Sequence, residues 1–130
     1  MAKKTSILII DDEADIRASI IGLLKSKGYE NLDSASTPET GIKKAKKGGY
    51  DLIILDMIMP RISGWGVLKE LRKAKIETRV LVVSAVGLPE MVGTDLKVKY
   101  PAVKFLGKSS LVTDLEKKVA ETLAMPAAQI

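Results

Sequence analysis

The stretch LIILDMIMP, residues 52–60, places four consecutive aliphatic residues directly before an aspartate, Asp56. Aliphatic residues that do not alternate with polar ones are typical of a strand buried on both faces, as in a parallel sheet. Two other runs, SILII at 6–10 and RVLVVSA at 79–85, have the same character. These runs predict three buried strands, and an aspartate at the end of such a strand needs a partner or a function.

Helical patterns alternate with strand patterns along the chain. DEADIRASIIGLLKSKG at 12–28 predicts a first helix that ends at Gly28, and NLDSAS at 31–36 predicts a weaker second strand. Thr37-Pro38-Glu39 is typical of a helix start, with an N-cap, a first-position proline and an acidic first turn, and this helix should stop at Gly48-Gly49. A further helix is predicted from about Gly64 to Ala74.

The last third of the chain is less regular. Segment 87–100 is poorly patterned and predicts a short or irregular helix. AVKFLG at 102–107 predicts the last strand, and Ser109 or Ser110 is expected to cap a final helix. Five strands that alternate with helices predict an α/β fold, a doubly wound parallel sheet with helices on both faces.

The composition restricts the chemistry that is open to the chain. Its 130 residues, 46% of them hydrophobic, are enough for one domain, and neither cysteine nor histidine is present. Thiolate chemistry and histidine general-base catalysis are therefore excluded. No apolar run approaches the roughly 20 residues of a membrane span, and no secretory signal is recognisable, so we expect a cytoplasmic protein without membrane insertion.

The formal net charge of +5 raises the question of nucleic-acid binding. The lysines, however, fall in helical patches, IKKAKK at 42–47 and LKELRKAK at 68–75, beside apolar residues at helical spacing. They are interpreted as solvated helix faces. We therefore expect no direct contact with nucleic acid.

Polar residues follow each buried run at the point where the strand should end. They are Asp11, Asp12, Asp56, Ser84 and Lys108. Because the carboxyl ends of parallel strands lie along one edge of the sheet, these side chains are expected to converge. Each has a simpler explanation by itself, since Asp12 could cap the first helix and a lone lysine is usually solvated. Their joint placement favours a functional site.

The charges of this group do not balance. Two carboxylates about 4 Å apart repel by roughly 4 kcal/mol at an effective dielectric constant of about 20. Lys108 offers one positive charge against three carboxylates. Either one carboxyl stays protonated or a further cation supplies the deficit. A divalent cation would fit, and an all-oxygen site suits Mg²⁺, whereas zinc is disfavoured without cysteine or histidine.

With these residues the chain resembles the receiver domain of two-component response regulators, including the chemotaxis type. The resemblance covers essentially the whole chain. It rests on Asp11-Asp12 after the first strand, the pattern D-x-x-M-P-x-x-x-G from Asp56 to Gly64, Ser84-Ala85, and Lys108 after the fifth strand. It implies the flavodoxin-like strand order 2-1-3-4-5, with a receiver domain over residues 1–124 and a frayed C-terminal tail at 125–130.

The resemblance also implies a role for each residue of the group. Asp56 would accept a phosphoryl group from a phosphohistidine, with Asp11, Asp12, Asp56 and the backbone carbonyl of Ile58 as ligands of Mg²⁺. Ser84 and Lys108 would contact the phosphoryl group. Ser84 and Phe105 would then act as the switch residues, although Phe105 lacks the hydroxyl needed for a hydrogen bond.

The function implied is that of a stand-alone response regulator receiver that switches a protein-docking surface. Its partners would be a sensor histidine kinase or phosphotransfer protein and a downstream target protein. Apart from its own phosphorylation and dephosphorylation it would not be an enzyme.

Three features depart from the family pattern, and one is the poorly patterned segment 87–100, since the family's output surface usually includes the fourth helix. Ser109 stands where the family usually has a proline, so the Lys108–Ser109 peptide lacks the usual preference for a cis bond. Ile58 is apolar at a position where the family often has a polar side chain.

Two other functions stay open. One is a binding module with the receiver fold that signals without phosphorylation. The other is a phosphohydrolase with Asp56 as nucleophile, which is disfavoured because Ile58 occupies the position where haloacid dehalogenase-type phosphatases place a second aspartate.

Overall fold

The computed structural model describes residues 3–85 and 96–130. Five strands form one parallel sheet: β1 (Lys3–Ile10), β2 (Tyr29–Ala35), β3 (Leu52–Asp56), β4 (Arg79–Ser84) and β5 (Lys104–Gly107). Their order across the sheet is β2-β1-β3-β4-β5. The predicted fold class and the order 2-1-3-4-5 are confirmed.

Helices cover the sheet on both sides. They are α1 (Ala14–Ser26), α2 (Pro38–Lys47), α3 (Gly64–Lys73) and the C-terminal helix (Leu111–Leu123), and residues 96–99 are also helical. Of the predicted irregular segment 87–100, residues 87–95 lie outside the described part. None of the described helices is long and apolar enough to cross a bilayer.

Alternate residues of the central strands divide the core into two layers, because successive side chains of a strand point to opposite faces. On one face Ile10, Leu55 and Val82 pack in the layer that includes α2 and α3. On the other, Ile9 and Ile54 pack in the layer that includes α1 and the C-terminal helix. Both faces of β1, β3 and β4 are therefore buried, as their unalternating sequences predicted.

Local signals set the helix boundaries in two places. The Thr37 hydroxyl accepts a hydrogen bond from the Thr40 N–H at 3.1 Å, with Pro38 in the first turn of α2. Gly48 follows the last residue of α2 with a φ of 81°, a value that glycine adopts readily. The predicted start and stop of α2 are confirmed.

The prediction that the side chain of Ser109 or Ser110 caps the C-terminal helix is wrong. Ser110 occupies the N-cap position but its side chain makes no capping hydrogen bond. Instead, Lys108–Ser110 forms a turn of 3₁₀ helix that leads directly into the C-terminal helix. The described parts of the chain have no cis peptide bond, so the Lys108–Ser109 peptide is trans.

The C-terminal tail contacts the domain, and the expectation that it frays stays a prediction. Residues 126–130 have no regular secondary structure, but Ile130 is only 7% exposed and joins the core layer that contains Tyr100. Arg79 Nε donates to the Met125 carbonyl at 2.6 Å, and Arg72 Nε donates to the main-chain oxygen of Ile130 at 2.7 Å. Two arginines on the sheet and α3 thus hold the tail against the domain.

Candidate functional site

The strand register brings the predicted polar residues to one edge of the sheet. Ile10 of β1 pairs with Leu55 of β3, so Asp11 and Asp56 follow at the same level. Ser84 ends β4 on the other side of β3, and Lys108 follows β5. The carboxyl ends of four strands therefore meet here, as the parallel topology requires.

Lys108 lies between the two buried aspartates. Its Nζ atom is 3.4 Å from Asp11 Oδ2 and 3.4 Å from Asp56 Oδ1. The aspartate side chains are 2% and 1% exposed, and the lysine side chain 13%. One ammonium group is thus shared by two buried carboxylates, which leaves the buried group with excess negative charge.

The carboxylate oxygens have few hydrogen-bond donors. Asp11 Oδ1 accepts from the Glu13 N–H at 2.9 Å, and Asp56 Oδ1 accepts from the Ile58 N–H at 3.2 Å. Asp11 Oδ2, Asp56 Oδ2 and Ser84 Oγ are buried and have no hydrogen-bond partner within the described residues. Buried polar atoms normally have partners, so three such atoms at one edge indicate a place for a ligand.

Burial raises the free energy of the ionised forms of Asp11 and Asp56, and the charge of Asp11 adds to the effect at Asp56. Burial is the main cause that raises the pKa of Asp56 to about 6, and the negative charge of Asp11 adds to it. Burial also raises the pKa of Asp11, although the Glu13 N–H and Lys108 oppose the shift. For Lys108, burial alone would lower the pKa, but the hydrogen bond to Glu13 and the two aspartate charges raise it.

These residues fit a divalent cation. Asp11, Asp12, Glu13 and Asp56 each offer a carboxylate oxygen, and these atoms lie within 4.8 Å of one another. The oxygen-only donor set, together with the buried oxygens that lack hydrogen-bond partners, matches the preference of Mg²⁺. Asp12 and Glu13 are exposed, which leaves one side of the group open to solvent.

The loop after β3 is shaped by close packing at Gly64. A Cβ atom on this residue would lie 2.5 Å from the Met57 sulfur and 2.7 Å from the Asp56 carbonyl oxygen, so a side chain is excluded. The Gly64 N–H donates to the Met57 carbonyl at 2.9 Å and closes the loop. The glycine at the end of the D-x-x-M-P-x-x-x-G pattern is therefore required by the turn that presents Asp56.

The remaining predicted residues have different surroundings. Asp12 does not cap the first helix, because Glu13 occupies the N-cap position. Ile58 is 51% exposed beside the site, and the role predicted for its carbonyl stays a prediction. Phe105 is partly buried against the core layer that contains Val82. Its role as a switch stays a prediction too.

Sequence reasoning missed two contacts of this site. Glu13 Oε1 accepts a hydrogen bond from Lys108 Nζ at 3.1 Å, across 95 positions of sequence. Arg17 Nη1 donates to the Asp11 carbonyl at 2.7 Å and fixes the end of β1. The available signal was the acidic character of Glu13 directly after Asp11-Asp12, and Arg17 lies one helical turn further along.

Comparison with known proteins agrees with this geometry. The family model of the response regulator receiver domain matches residues 7–120. The chain belongs to the response regulator receiver family. Receiver domains are the phosphoacceptor domains of two-component signalling, and phosphorylation and magnesium binding are typical of them.

The receiver matches regulators of other organisms. It is 38% identical to the transcriptional regulatory protein DltR of Streptococcus agalactiae over 79 residues, which are 61% of this chain and 35% of DltR. It is 37% identical to the cell cycle response regulator CtrA of Brucella abortus over 93 residues, which are 72% of this chain and 38% of CtrA. The matched part thus spans little more than a third of these relatives.

Among solved structures, the receiver resembles the response regulator TrrA of Thermotoga maritima, determined in complex with Mg²⁺ and beryllofluoride. The two share 35% sequence identity with a TM-score of 0.77, and the match covers 91% of this chain and 98% of TrrA. The similarity extends over nearly the whole of both chains.

Proposed function

We propose that Asp56 is the phosphoacceptor of this receiver and that Asp11 and Asp12 bind Mg²⁺ with it. The observation that carries the proposal is that Asp11 Oδ2 and Asp56 Oδ2 are buried without a hydrogen-bond partner among the described residues, although Asp11 Oδ2 has an ion-pair contact with Lys108 Nζ at 3.4 Å. A structural ion pair would satisfy both oxygens. A site that receives a cation and a phosphoryl group has to leave them available.

Asp56 and Lys108 have different roles in the proposed phosphoryl transfer. An oxygen of the Asp56 carboxylate attacks phosphorus, the new P–O bond forms as the P–N bond of a phosphohistidine breaks, and the leaving nitrogen keeps the bonding electron pair. The Lys108 ammonium offsets the negative charge of the transferred group. Mg²⁺, when bound by the aspartates, neutralises charge on the phosphoryl oxygens.

Ser84 is proposed to read the phosphorylated state. Its hydroxyl is buried at the end of β4, beside Asp56, and has no hydrogen-bond partner within the described residues. A phosphoryl oxygen would give it an acceptor. Ser84→Ala is expected to leave phosphorylation of Asp56 largely intact and to weaken the response of a partner. Unchanged active-state NMR shifts in this variant would refute the relay through Ser84.

The direct test of the proposed function is phosphorylation by a small donor. Metal-free protein is incubated with acetyl phosphate, with and without Mg²⁺, and its intact mass is measured. We expect a Mg²⁺-dependent gain of one phosphoryl group in the wild type and none in Asp56→Asn. Asp33→Asn is the matched control, since Asp33 is a β2 aspartate outside the site. A wild type without mass gain would support the non-phosphorylated binding module.

The same assay separates the receiver from a phosphohydrolase. A receiver gains one phosphoryl group and loses it slowly, whereas a hydrolase turns over phosphate esters continuously. The hydrolase has little support, because Ile58 occupies the position of the second acid and the sequence has no histidine.

The biological setting is also proposed. The phosphoryl donor would be a sensor histidine kinase or a phosphotransfer protein, and the phosphorylated receiver would dock on a downstream target in the cytoplasm.

A further inference from the structure

Glu13 belongs to the acidic group that fits a cation, but it is not among the proposed Mg²⁺ ligands Asp11, Asp12 and Asp56. It occupies the N-cap position of α1, but its side chain makes no capping hydrogen bond. An N-cap side chain usually accepts a hydrogen bond from its own helix. The Glu13 carboxylate instead accepts a hydrogen bond from Lys108, which directly follows β5.

Among the ion pairs of Lys108 with described residues, the one with Glu13 is the shortest. Lys108 Nζ is 3.1 Å from Glu13 Oε1, against 3.4 Å to each buried aspartate. Within the described residues, only the Glu13 contact has hydrogen-bond geometry. Among the described acids, Glu13 is therefore the closest to the Lys108 ammonium, although it has no proposed contact with the phosphoryl group.

The backbone around Glu13 fixes its carboxylate near the site. The Glu13 N–H donates to Asp11 Oδ1 at 2.9 Å, and the Glu13 carbonyl accepts from the Arg17 N–H at 3.0 Å. The first bond ties Glu13 to a buried aspartate and the second anchors it to α1. The side chain is 59% exposed, so it approaches Lys108 from the solvent side while Asp11 and Asp56 lie beneath.

We propose that Glu13 is a positioning residue that holds Lys108 in the unphosphorylated receiver and competes with the phosphoryl group for it. A phosphoryl group on Asp56 adds negative charge within reach of the same ammonium. Lys108 has to leave Glu13, at least in part, to pair with it. Glu13 thereby stabilises the unphosphorylated state. This inference rests on the proposed function of Asp56.

The test measures the affinity for beryllofluoride, which mimics the phosphoryl group, at saturating Mg²⁺ by ¹⁹F NMR. Exposed ion pairs contribute about 0.2–1 kcal/mol, so Glu13→Gln is expected to tighten binding by about 1.4-fold to fivefold. The affinity for Mg²⁺ is measured separately, because loss of a nearby charge affects metal binding as well. Unchanged or weaker beryllofluoride binding in Glu13→Gln would overturn the proposal.

Two further variants separate the contact from the charge. Glu13→Asp keeps the negative charge but shortens the side chain, so it should also tighten binding if the contact with Lys108 matters. Asp15→Asn removes an exposed charge from the first turn of α1 and should leave the affinity unchanged. If Glu13→Asp binds like the wild type while Glu13→Gln binds more tightly, charge alone is responsible and the positioning role is refuted.

A double-mutant cycle tests the contact without any ligand. Urea unfolding of metal-free wild type, Glu13→Gln, Lys108→Gln and the double variant should give non-additive stabilities. Additive effects would refute the contact. A wild type that does not bind beryllofluoride would refute the proposed function, whereas a wild type that binds it with an affinity insensitive to Glu13 would refute only this inference.

Discussion

Asp33 and Asp56 are strand aspartates that each have a lysine beside them, yet their pKa values shift in opposite directions. Hydrogen bonds from Tyr50 and then from Lys44 lower the pKa of Asp33. Burial and the charge of Asp11 raise the pKa of Asp56 to about 6. The two carboxylates lie in the same sheet, so the difference comes from their immediate neighbours.

The Asp33 cluster is fully paired. Asp33 Oδ1 accepts from Lys44 Nζ at 2.9 Å and from the Ser34 N–H at 2.8 Å, and Asp33 Oδ2 accepts from the Tyr50 hydroxyl at 2.7 Å. Lys44 Nζ also donates to the Ser34 carbonyl at 2.9 Å. One carboxylate meets one ammonium and two further donors, so the cluster joins β2, α2 and the segment before β3 without needing a ligand.

The Asp56 cluster lacks this balance. Two buried carboxylates share one lysine, and one oxygen of each has no hydrogen-bond partner within the described residues. A structural cluster satisfies its polar atoms, whereas a binding site leaves some of them for the ligand. The Asp56 cluster therefore differs from the Asp33 cluster in having charge without a partner, because both clusters contain charged groups.

The largest effect is expected when Lys108 is removed. Lys108→Met leaves Asp11 and Asp56 buried without a cation, so the metal-free protein should lose about 3 kcal/mol of unfolding free energy at pH 8. Urea unfolding measures the change. Lys44→Met, in the half-exposed Asp33 cluster, is the matched control and should cost less than about 1 kcal/mol. Equal losses in the two variants would remove the distinction between the clusters.

Neutralising the aspartates should have opposite effects in the two clusters. Asp56→Asn removes a repelled, buried charge and is expected to stabilise the metal-free protein by about 1–2 kcal/mol at pH 7. Asp33→Asn removes a paired charge and should destabilise it by about 0.5–1 kcal/mol. Chemical denaturation at matched pH gives both values. The same sign in both variants would contradict the account.

The pH dependence of stability follows from the raised pKa of Asp56. Because the folded state binds this proton more tightly than the unfolded chain, stability should rise as the pH falls from about 7 through 6, by about 1 kcal/mol at pH 5. The Asp33 contribution has the opposite sign, since a lowered pKa means that stability is lost only below about pH 4. Urea unfolding of metal-free protein between pH 5 and 8 measures the rise, which Asp56→Asn should reduce.

The smallest effect is expected at Tyr50. Tyr50→Phe removes the hydroxyl that donates to Asp33, which should cost about 0.5–1 kcal/mol of unfolding free energy. Thermal unfolding detects the loss. Mg²⁺ binding and phosphorylation should be unaffected, because Tyr50 contacts Asp33 and lies outside the acid cluster. A weakened Mg²⁺ affinity would show that the two clusters are coupled.

The fold and the meeting of the site residues at one sheet edge could be predicted from the sequence, because both follow from the order and direction of the strands. The apolar runs before Asp11, Asp56 and Ser84 identify central strands, and parallel strands place their carboxyl ends at one edge. No information about side-chain contacts was needed for these conclusions. The resemblance to the receiver family then rested on Asp11-Asp12, the motif from Asp56 to Gly64, Ser84-Ala85 and Lys108 in combination.

The contacts between side chains could not be predicted in the same way. Glu13 meets Lys108 across 95 positions of sequence, and Arg72 meets the main-chain oxygen of Ile130 across 58. Long, flexible side chains allow many partners, so the choice depends on the packed structure. The tail is an example, because its sequence lacks a helical or strand pattern and does not indicate that Arg72 and Arg79 donate hydrogen bonds to its main-chain oxygens.

Calorimetric titration of metal-free protein with Mg²⁺ tests whether the Asp56 cluster binds a cation. The cluster is expected to bind one because its carboxylates carry more negative charge than Lys108 offsets. The account predicts one Mg²⁺ site in the wild type, unchanged in Asp33→Asn and strongly weakened in Asp11→Asn and Asp56→Asn. A wild type that binds no Mg²⁺, or a site that survives both Asp11→Asn and Asp56→Asn, would contradict it.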